Sequence, residues 1–344
     1  MAFISVIMVG YNAAAYLPKA LSCLLTQKYH DYEFIFIDNG SRDNTADIAK
    51  TFKESHPEID MRLGYIEVNT GLPNGRNLGL SMASGRYVMF HDVDDWMDPD
   101  CLEVLAHTAN LSHAERIIQQ IRIVDNSGKE LEQIRYPENA SRWSKYYLQG
   151  DLFSREVITK KKLYFATDAF YDDFFFTSIF SSVSKSVIFI NETHYNMCMH
   201  EHSLTHKVGV KIGHYASCLS TTFECTRGIG DIITEEHEKN LYEYSCIQFY
   251  YYLVFHSVEM KWFHKIAEYV ELNRVMKKYY PSYLGNKNVK LYAPNGCKGH
   301  FKRNVWICIM AEKMDKLLRF PFVMAFVLIL YHIALRFGLY KYKA

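Results

Sequence analysis

Apolar residues fall in short runs separated by polar turns over the first two hundred positions, and the spacing inside the runs alternates between strand and helix periods. Residues 3–9 (Phe-Ile-Ser-Val-Ile-Met-Val) form a β-branched run that predicts a central strand, ended by Gly10-Tyr11-Asn12. Leu17, Ala20, Leu21, Leu24 and Leu25 follow at helical spacing, with Pro18 tolerable in the first turn. Residues 33–37 predict a second strand, with Asp38-Asn39-Gly40-Ser41 at its carboxyl end. A helix is expected over 45–54 and a third strand over 61–68. An Asn- and Gly-rich loop, 69–75, leads to a short helix over 76–83, then to a strand ending at Asp92. This alternation predicts βαβ units and an α/β fold with a mostly parallel sheet flanked by helices. The polar loops after three strands should then open on one edge of that sheet.

Further along, residues 116–124 predict one strand and Asp125-Asn126-Ser127-Gly128 a hairpin turn. A loop over 136–150 carries Tyr136, Trp143, Tyr146 and Tyr147, which suit sugar rings and ordinary packing equally. Asp172-Asp173 opens an apolar helix running to about residue 184, and residues 187–190 predict another strand. Residues 214–280 read as helices rich in Tyr and Phe. Residues 320–335 are almost unbroken apolar sequence, interrupted by His332. That stretch is shorter than the roughly 20 residues of a spanning helix. Lys313, Lys316 and Arg319 precede it and Arg336, Lys341 and Lys343 follow. A helix lying in a membrane interface and a core or dimer helix both fit this pattern.

The chain has 344 residues, 49% hydrophobic, enough for one large domain and a smaller one. A net charge of +1 offers no field to attract nucleic acid. Eight scattered cysteines without a CxxC pair point to a reducing cytoplasm rather than a disulfide framework. No signal peptide is expected, because the first strand begins almost at once. No G-x-G-x-x-G follows that strand and no G-x-x-x-x-G-K-[ST] occurs, which argues against dinucleotide dehydrogenases and P-loop NTPases.

The densest chemistry lies in Tyr87-Val88-Met89-Phe90-His91-Asp92-Val93-Asp94-Asp95-Trp96. Three carboxylates within four residues repel one another unless a cation shares them. Asp-x-Asp oxygens suit a hard ion, Mg²⁺ or Mn²⁺, that also holds phosphates. The same residues also fit a solvated acidic turn before the helix that starts near Pro99. Asp172 and Asp173 form a second acidic centre. Either could serve as a general base, and both also favour a helix N-terminus.

Four segments in order resemble the signatures of the family 2 glycosyltransferases. They are Ser5-Val6-Ile7-Met8-Val9-Gly10-Tyr11-Asn12, Ile35-Phe36-Ile37-Asp38-Asn39-Gly40-Ser41-Arg42-Asp43-Asn44-Thr45, Gly75-Arg76-Asn77-Leu78-Gly79 and Phe90-His91-Asp92-Val93-Asp94-Asp95-Trp96. The resemblance implies a GT-A fold, a nucleotide-sugar donor, a divalent metal and inversion at the anomeric carbon. It places Val9, Tyr11, Asp38 and Asn39 at the base and ribose, with Asn39 where the family carries a second acid. An amide oxygen can still accept from the uracil imide, so uridine is the first choice of base, with thymidine or another base open. Arg76 falls near base and phosphates. Asp92 and Val93 face the donor, Asp94 binds the metal, and Asp95, Trp96 and Asp172 lie toward the acceptor.

Asp173 takes the place of the family's catalytic base. Residues 192–205 align loosely with Tyr-Arg-x-His-x-x-Ser-x-Ser, with Cys198 where Arg is usual and His200 as a second metal ligand. His202 is the runner-up. The implied enzyme has a transferase domain over 1–205, with a nucleotide-sugar half to residue 110 and an acceptor half after it. A helical region over 206–344 follows. Its partners would be a nucleotide-sugar, a glycan or lipid-linked acceptor and a membrane met peripherally, on the inner face of a bacterial plasma membrane. Nucleic acid is not among them, and homo-oligomerisation is left open. Two rivals remain at this level: a silent glycan- or lipid-binding module of the same fold, which Asn39 and Cys198 favour, and a nucleotidyltransferase.

Overall fold

The computed structural model describes residues 2–136, 140–167, 171–200, 214–256, 262–286, 300–319 and 322–336. The chain divides into two compact units, 1–201 and 202–344.

In the first unit, β1 (Ile4–Gly10), α1 (Leu17–Leu25), β2 (Tyr32–Asn39), α2 (Thr45–Ser55), β3 (Asp60–Ile66), α3 (Leu72–Met82) and β4 (Tyr87–Asp92) alternate as the pattern requires. Then come β5 (Trp96–Met97), α4 (Cys101–Ser112), β6 (Arg116–Ile118), β7 (Ile121–Val124), β8 (Glu130–Ile134), β9 (Leu152–Ser154), α5 (Arg155–Lys160), α6 (Asp172–Val183), β10 (Val187–Phe189) and β11 (Tyr195–Cys198). Seven strands form one sheet in the order β10-β6-β9-β4-β1-β2-β3. All neighbours are parallel except β9, which runs antiparallel to both β4 and β6. β1 and β2 are almost wholly buried, as apolar strands covered by helices on both faces must be. The register sets Val9 beside Asp92 and Gly10 beside Asp38, so the polar ends of three strands share one edge.

Residues 116–124 do not form one strand. The run breaks at Gln119-Gln120, and its second half pairs into a separate four-stranded sheet, β5-β11-β7-β8. Both glutamines are buried and bonded to other loops. Gln119 Nε2 donates to the carbonyl of Gly150 at 2.8 Å and its Oε1 accepts from His194 N at 3.0 Å. These bonds anchor the crossing between sheets, a tertiary effect that periodicity cannot show.

α3 begins four residues earlier than expected, because Pro73 sits in its first turn, where no backbone donor is needed. Gly75 and Gly79, one turn apart, press this helix onto β1. A Cβ at Gly79 would run into Cγ2 of Ile7, and one at Gly75 into Cγ1 of Val9. Both obstacles are stiff β-branched side chains. Gly79→Ala is therefore expected to cost about 1–3 kcal/mol by overpacking, seen as a lower urea midpoint at unchanged slope.

The second unit is helical: α7 (His214–Cys225), α8 (Glu236–His256), α9 (Trp262–Tyr279), α10 (His300–Leu318) and α11 (Phe322–Arg336). In its core the Glu312 carboxylate sits in a ring of tyrosines. Glu312 is buried and accepts from the hydroxyls of Tyr250, Tyr251, Tyr269 and Tyr283 at 2.7, 2.6, 3.3 and 2.6 Å. Four donors satisfy a carboxylate that burial pushes above its usual range. Asp315 accepts from the backbone N–H groups of Val323 and Met324 at 2.7 and 2.9 Å, closing the turn into α11. Among the described residues no helix is long and apolar enough to cross a membrane. His202, Phe320, Lys341 and Lys343 lie outside the described residues.

Candidate active site

The site grows from the carboxyl ends of β1, β2 and β4, where ligands sit in open α/β sheets. Beyond β4 the carboxylates of Asp92, Asp94 and Asp95 bring one oxygen each to within 4.8 Å of one another. Burial together with these like charges raises the pKa of Asp94 and Asp95.

The three acids have different surroundings. Asp95 is buried and both its oxygens are taken by the protein: Tyr195 donates its hydroxyl to Oδ2 and Cys198 its backbone N–H to Oδ1, each at 2.8 Å. The Tyr195 hydroxyl also accepts from Asp92 N at 3.2 Å, so one phenol ties the loop together. The departure at Cys198 leaves this arrangement whole, because the backbone and not the side chain makes the bond.

Asp94 is partly exposed. Its Oδ2 lies 2.8 Å from Nε2 of His200. Tyr16 stacks on the His200 ring, centroids 4.6 Å apart, and its hydroxyl lies 3.4 Å from Nδ1. The Tyr16 oxygen can accept from a protonated Nδ1, the tautomer in which Nε2 presents its lone pair on the Asp94 side. An oxygen donor, an aligned imidazole and adjacent negative charge fit a divalent ion. Asp94 and His200 would hold it, while Asp95 acts behind them as a support.

Arg76 forms the second centre. Its guanidinium, nearly fully buried, pairs with Asp172 Oδ2 at 2.6 Å, with Asp173 Oδ1, and with Asp92 Oδ1 at 3.3 Å. It is a hub for three acids rather than an open phosphate contact. Burial, opposed by Arg76 and assisted by Asp173, pushes Asp172 up to about 7. Burial also raises Asp173, with Arg76 opposing it and Asp92 adding to it. Gln149 Nε2 bridges Asp92 Oδ2 at 2.6 Å and Asp173 Oδ2 at 3.4 Å. Asp173 thus stands one side chain from the Asp92–Asp94 loop.

At the nucleoside end, Asp38 is buried and its Oδ1 has no hydrogen-bond partner among the described residues. Tyr11 is exposed at 44%, Val9 is partly covered by α3, and Val93 packs partly on the core. Asn39 also makes bonds within the protein. It is buried, its Nδ2 donates to Gly71 O at 3.0 Å and Asn69 Oδ1 at 3.3 Å, and its Oδ1 accepts from Thr70 N at 3.4 Å. The amide braces the 69–71 loop, and its Oδ1 accepts one bond of the two it can take. Trp96 lies under the ammonium of Lys19, 3.2 Å from the ring centroid. Of the loop aromatics, Tyr136 and Trp143 are buried packing residues.

Sequence reasoning missed Gln149 and Tyr195. Gln149 stands alone in an irregular loop, where no spacing marks it. It is fixed by its neighbours: Lys145 Nζ donates to the carbonyl of Gln149 at 2.6 Å and pairs with Asp151 at 2.5 Å, and Asp151 pairs with Arg116 at 2.7 Å, all buried. Tyr195 could have been sought, because a third buried acid beside two others needs donors. Gln149→Leu is expected to lower kcat about tenfold or more with a small change in donor KM. Steady-state kinetics at saturating donor checks this.

The family model "Glycosyl transferase family 2" matches residues 5–171. Residues 5–171 thus form a domain of that family. "Glycosyltransferase GlyA" of Streptococcus pneumoniae serotype 4 is 43% identical over 103 residues, 30% of this chain and 14% of that protein. The chain thus spans about a seventh of that relative's length. "Cholesterol galactosyltransferase" of Borreliella burgdorferi is 27% identical over 277 residues, 74% of this chain and 75% of that protein. Among solved structures, S. aureus TarS 1–349 in complex with UDP-GlcNAc superposes with a TM-score of 0.71 at 15% identity, covering 99% of this chain and 93% of that one. At that identity the likeness shows the fold alone, the GT-A arrangement.

Proposed function

We propose that this family 2 glycosyltransferase moves a sugar from a nucleotide-diphosphate donor, UDP-sugar favoured, to a hydroxyl of a glycan or lipid-linked acceptor, with inversion, in bacterial surface-polysaccharide synthesis. The observation that carries this reading is Asp173 held across Gln149 from the loop that bears Asp92 and Asp94. A GT-A neighbour solved with UDP-GlcNAc supports the choice of donor.

Asp38 Oδ1, buried and without a protein donor among the described residues, accepts from the nucleoside. Asp92, fixed by Arg76 and Gln149, borders the donor diphosphate. A bound Mn²⁺ or Mg²⁺ would supply positive charge against the departing diphosphate from its place on Asp94 and His200. Asp173 takes the acceptor proton on Oδ2, because Oδ1 is engaged by Arg76. The hydroxyl then attacks from the side opposite the leaving group. Burial of Asp173 lifts its basicity above that of a solvated carboxylate, which suits a general base.

A thermal-shift screen of UDP-, GDP- and dTDP-sugars with Mn²⁺ tests the donor. The UDP-sugars are expected to raise the melting temperature most, and EDTA to abolish the rise, since a ligand of the folded state stabilises by about 2.7 kcal/mol at a hundredfold excess over Kd. If no nucleotide-sugar moves the transition, the donor assignment fails.

A further inference from the structure

Two neighbouring helices of the second unit turn apolar side chains outward. On α10, Ile307, Met310, Met314 and Leu317 recur at intervals of three and four residues and are exposed, Leu317 at 75%. On α11, Phe326, Leu330 and Ile333 do the same, Phe326 at 60%. Each stripe lies opposite the buried side of its own helix, marked by Ile309 and Glu312 on α10 and by Met324 and Leu328 on α11. Exposed apolar area on this scale marks an interaction surface.

The charges on the same helices identify the partner. Residues 300–336 contain two acids, Glu312 and Asp315, and both are buried and hydrogen-bonded inward. The same stretch contains six cations, of which Lys316 and Arg319 are exposed and Lys313 partly so. Among the described residues the exposed side chains of these helices and of the turn after α10 are therefore apolar or cationic, and none is acidic. An interface that is greasy and anionic complements such a face, as the surface of a bilayer with acidic headgroups does. A protein partner would need a broad apolar patch of its own ringed by acids, and a second copy of this face would set cation against cation.

We infer that α10 and α11 together form an in-plane docking face for an anionic lipid surface. The sequence singled out the second helix alone; the paired helices with inward-turned acids make the surface. The inference goes beyond the transferase reading and does not depend on it.

Flotation of the full chain with phosphatidylcholine vesicles, with and without phosphatidylglycerol, tests it. Binding is expected to the anionic vesicles, to be weak to the neutral ones, and to fall with salt. Leu317→Ser with Phe326→Ser should lower the partition coefficient roughly tenfold or more. Lys313→Gln with Lys316→Gln should lower it roughly tenfold and flatten the salt dependence. Both pairs should keep the melting temperature and nucleotide-sugar turnover of the parent. The inference is overturned by absence of binding to anionic vesicles or by binding that neither pair weakens. A dimer that Leu317→Ser with Phe326→Ser converts to monomer would overturn it equally, by making the face a protein interface. Loss of turnover in the parent itself would sink the transferase reading and leave the vesicle result standing.

Discussion

Asp173→Asn is expected to keep the fold and lower the transfer rate by roughly 100- to 10,000-fold, the range for removal of a general base. The substitution preserves shape, and its amide oxygen can still accept from Arg76. What disappears is the oxygen that takes the proton. Donor KM should change little, because the bond lost forms on the acceptor. In the parent enzyme the base must be ionised, and burial has raised its pKa. Activity should therefore fall on the acid side at a pH above the ordinary carboxylate range. Single-turnover rates against pH, with circular dichroism as the check on folding, decide the matter. Full activity in the variant removes Asp173 from its role.

Arg76→Met should produce the largest loss of stability in the first unit, about 3–5 kcal/mol, because it leaves three carboxylates without their cation in a buried place. Arg76→Lys should recover only part, since a point charge cannot serve three acids as a planar fork does. The deficit has a definite pH dependence. Without the arginine, the folded-state pKa values of Asp172 and Asp173 rise further above those of the unfolded chain. The folded form then binds protons more tightly, so the variant gains stability as pH falls and loses it as pH rises. Urea titrations over a pH series measure this. A deficit that stays constant with pH would show that packing, not charge, sets the cost.

Much of this design was legible in the residues. Strand–helix alternation needs only local period, and the acids at strand ends need only position, so the chain order by itself puts Asp38, Asp92 and Asp94 on one edge. The pair Asp172-Asp173 announced itself as acid ahead of an apolar helix. Three features could not be read. Gln119 and Gln120 break a strand through bonds to loops distant in sequence. Asn39 braces its neighbouring loop besides standing at the nucleoside end. Arg76 looked like a phosphate ligand because its charge is visible along the chain, whereas the three acids that meet it arrive only through the fold. Each depends on long-range hydrogen bonds between polar side chains, which leave no periodic trace.

The tyrosine ring around Glu312 has a practical consequence for trimming the protein. Removing the greasy helices by ending the chain near residue 300 would delete the acceptor that four phenols of the second unit share. Those hydroxyls would lose their shared acceptor and the apolar surface under the two helices would be laid bare, so the shortened polypeptide should aggregate rather than become better behaved. Polar replacements on the outer stripes, with Glu312 left in place, are the safer route to a tractable sample.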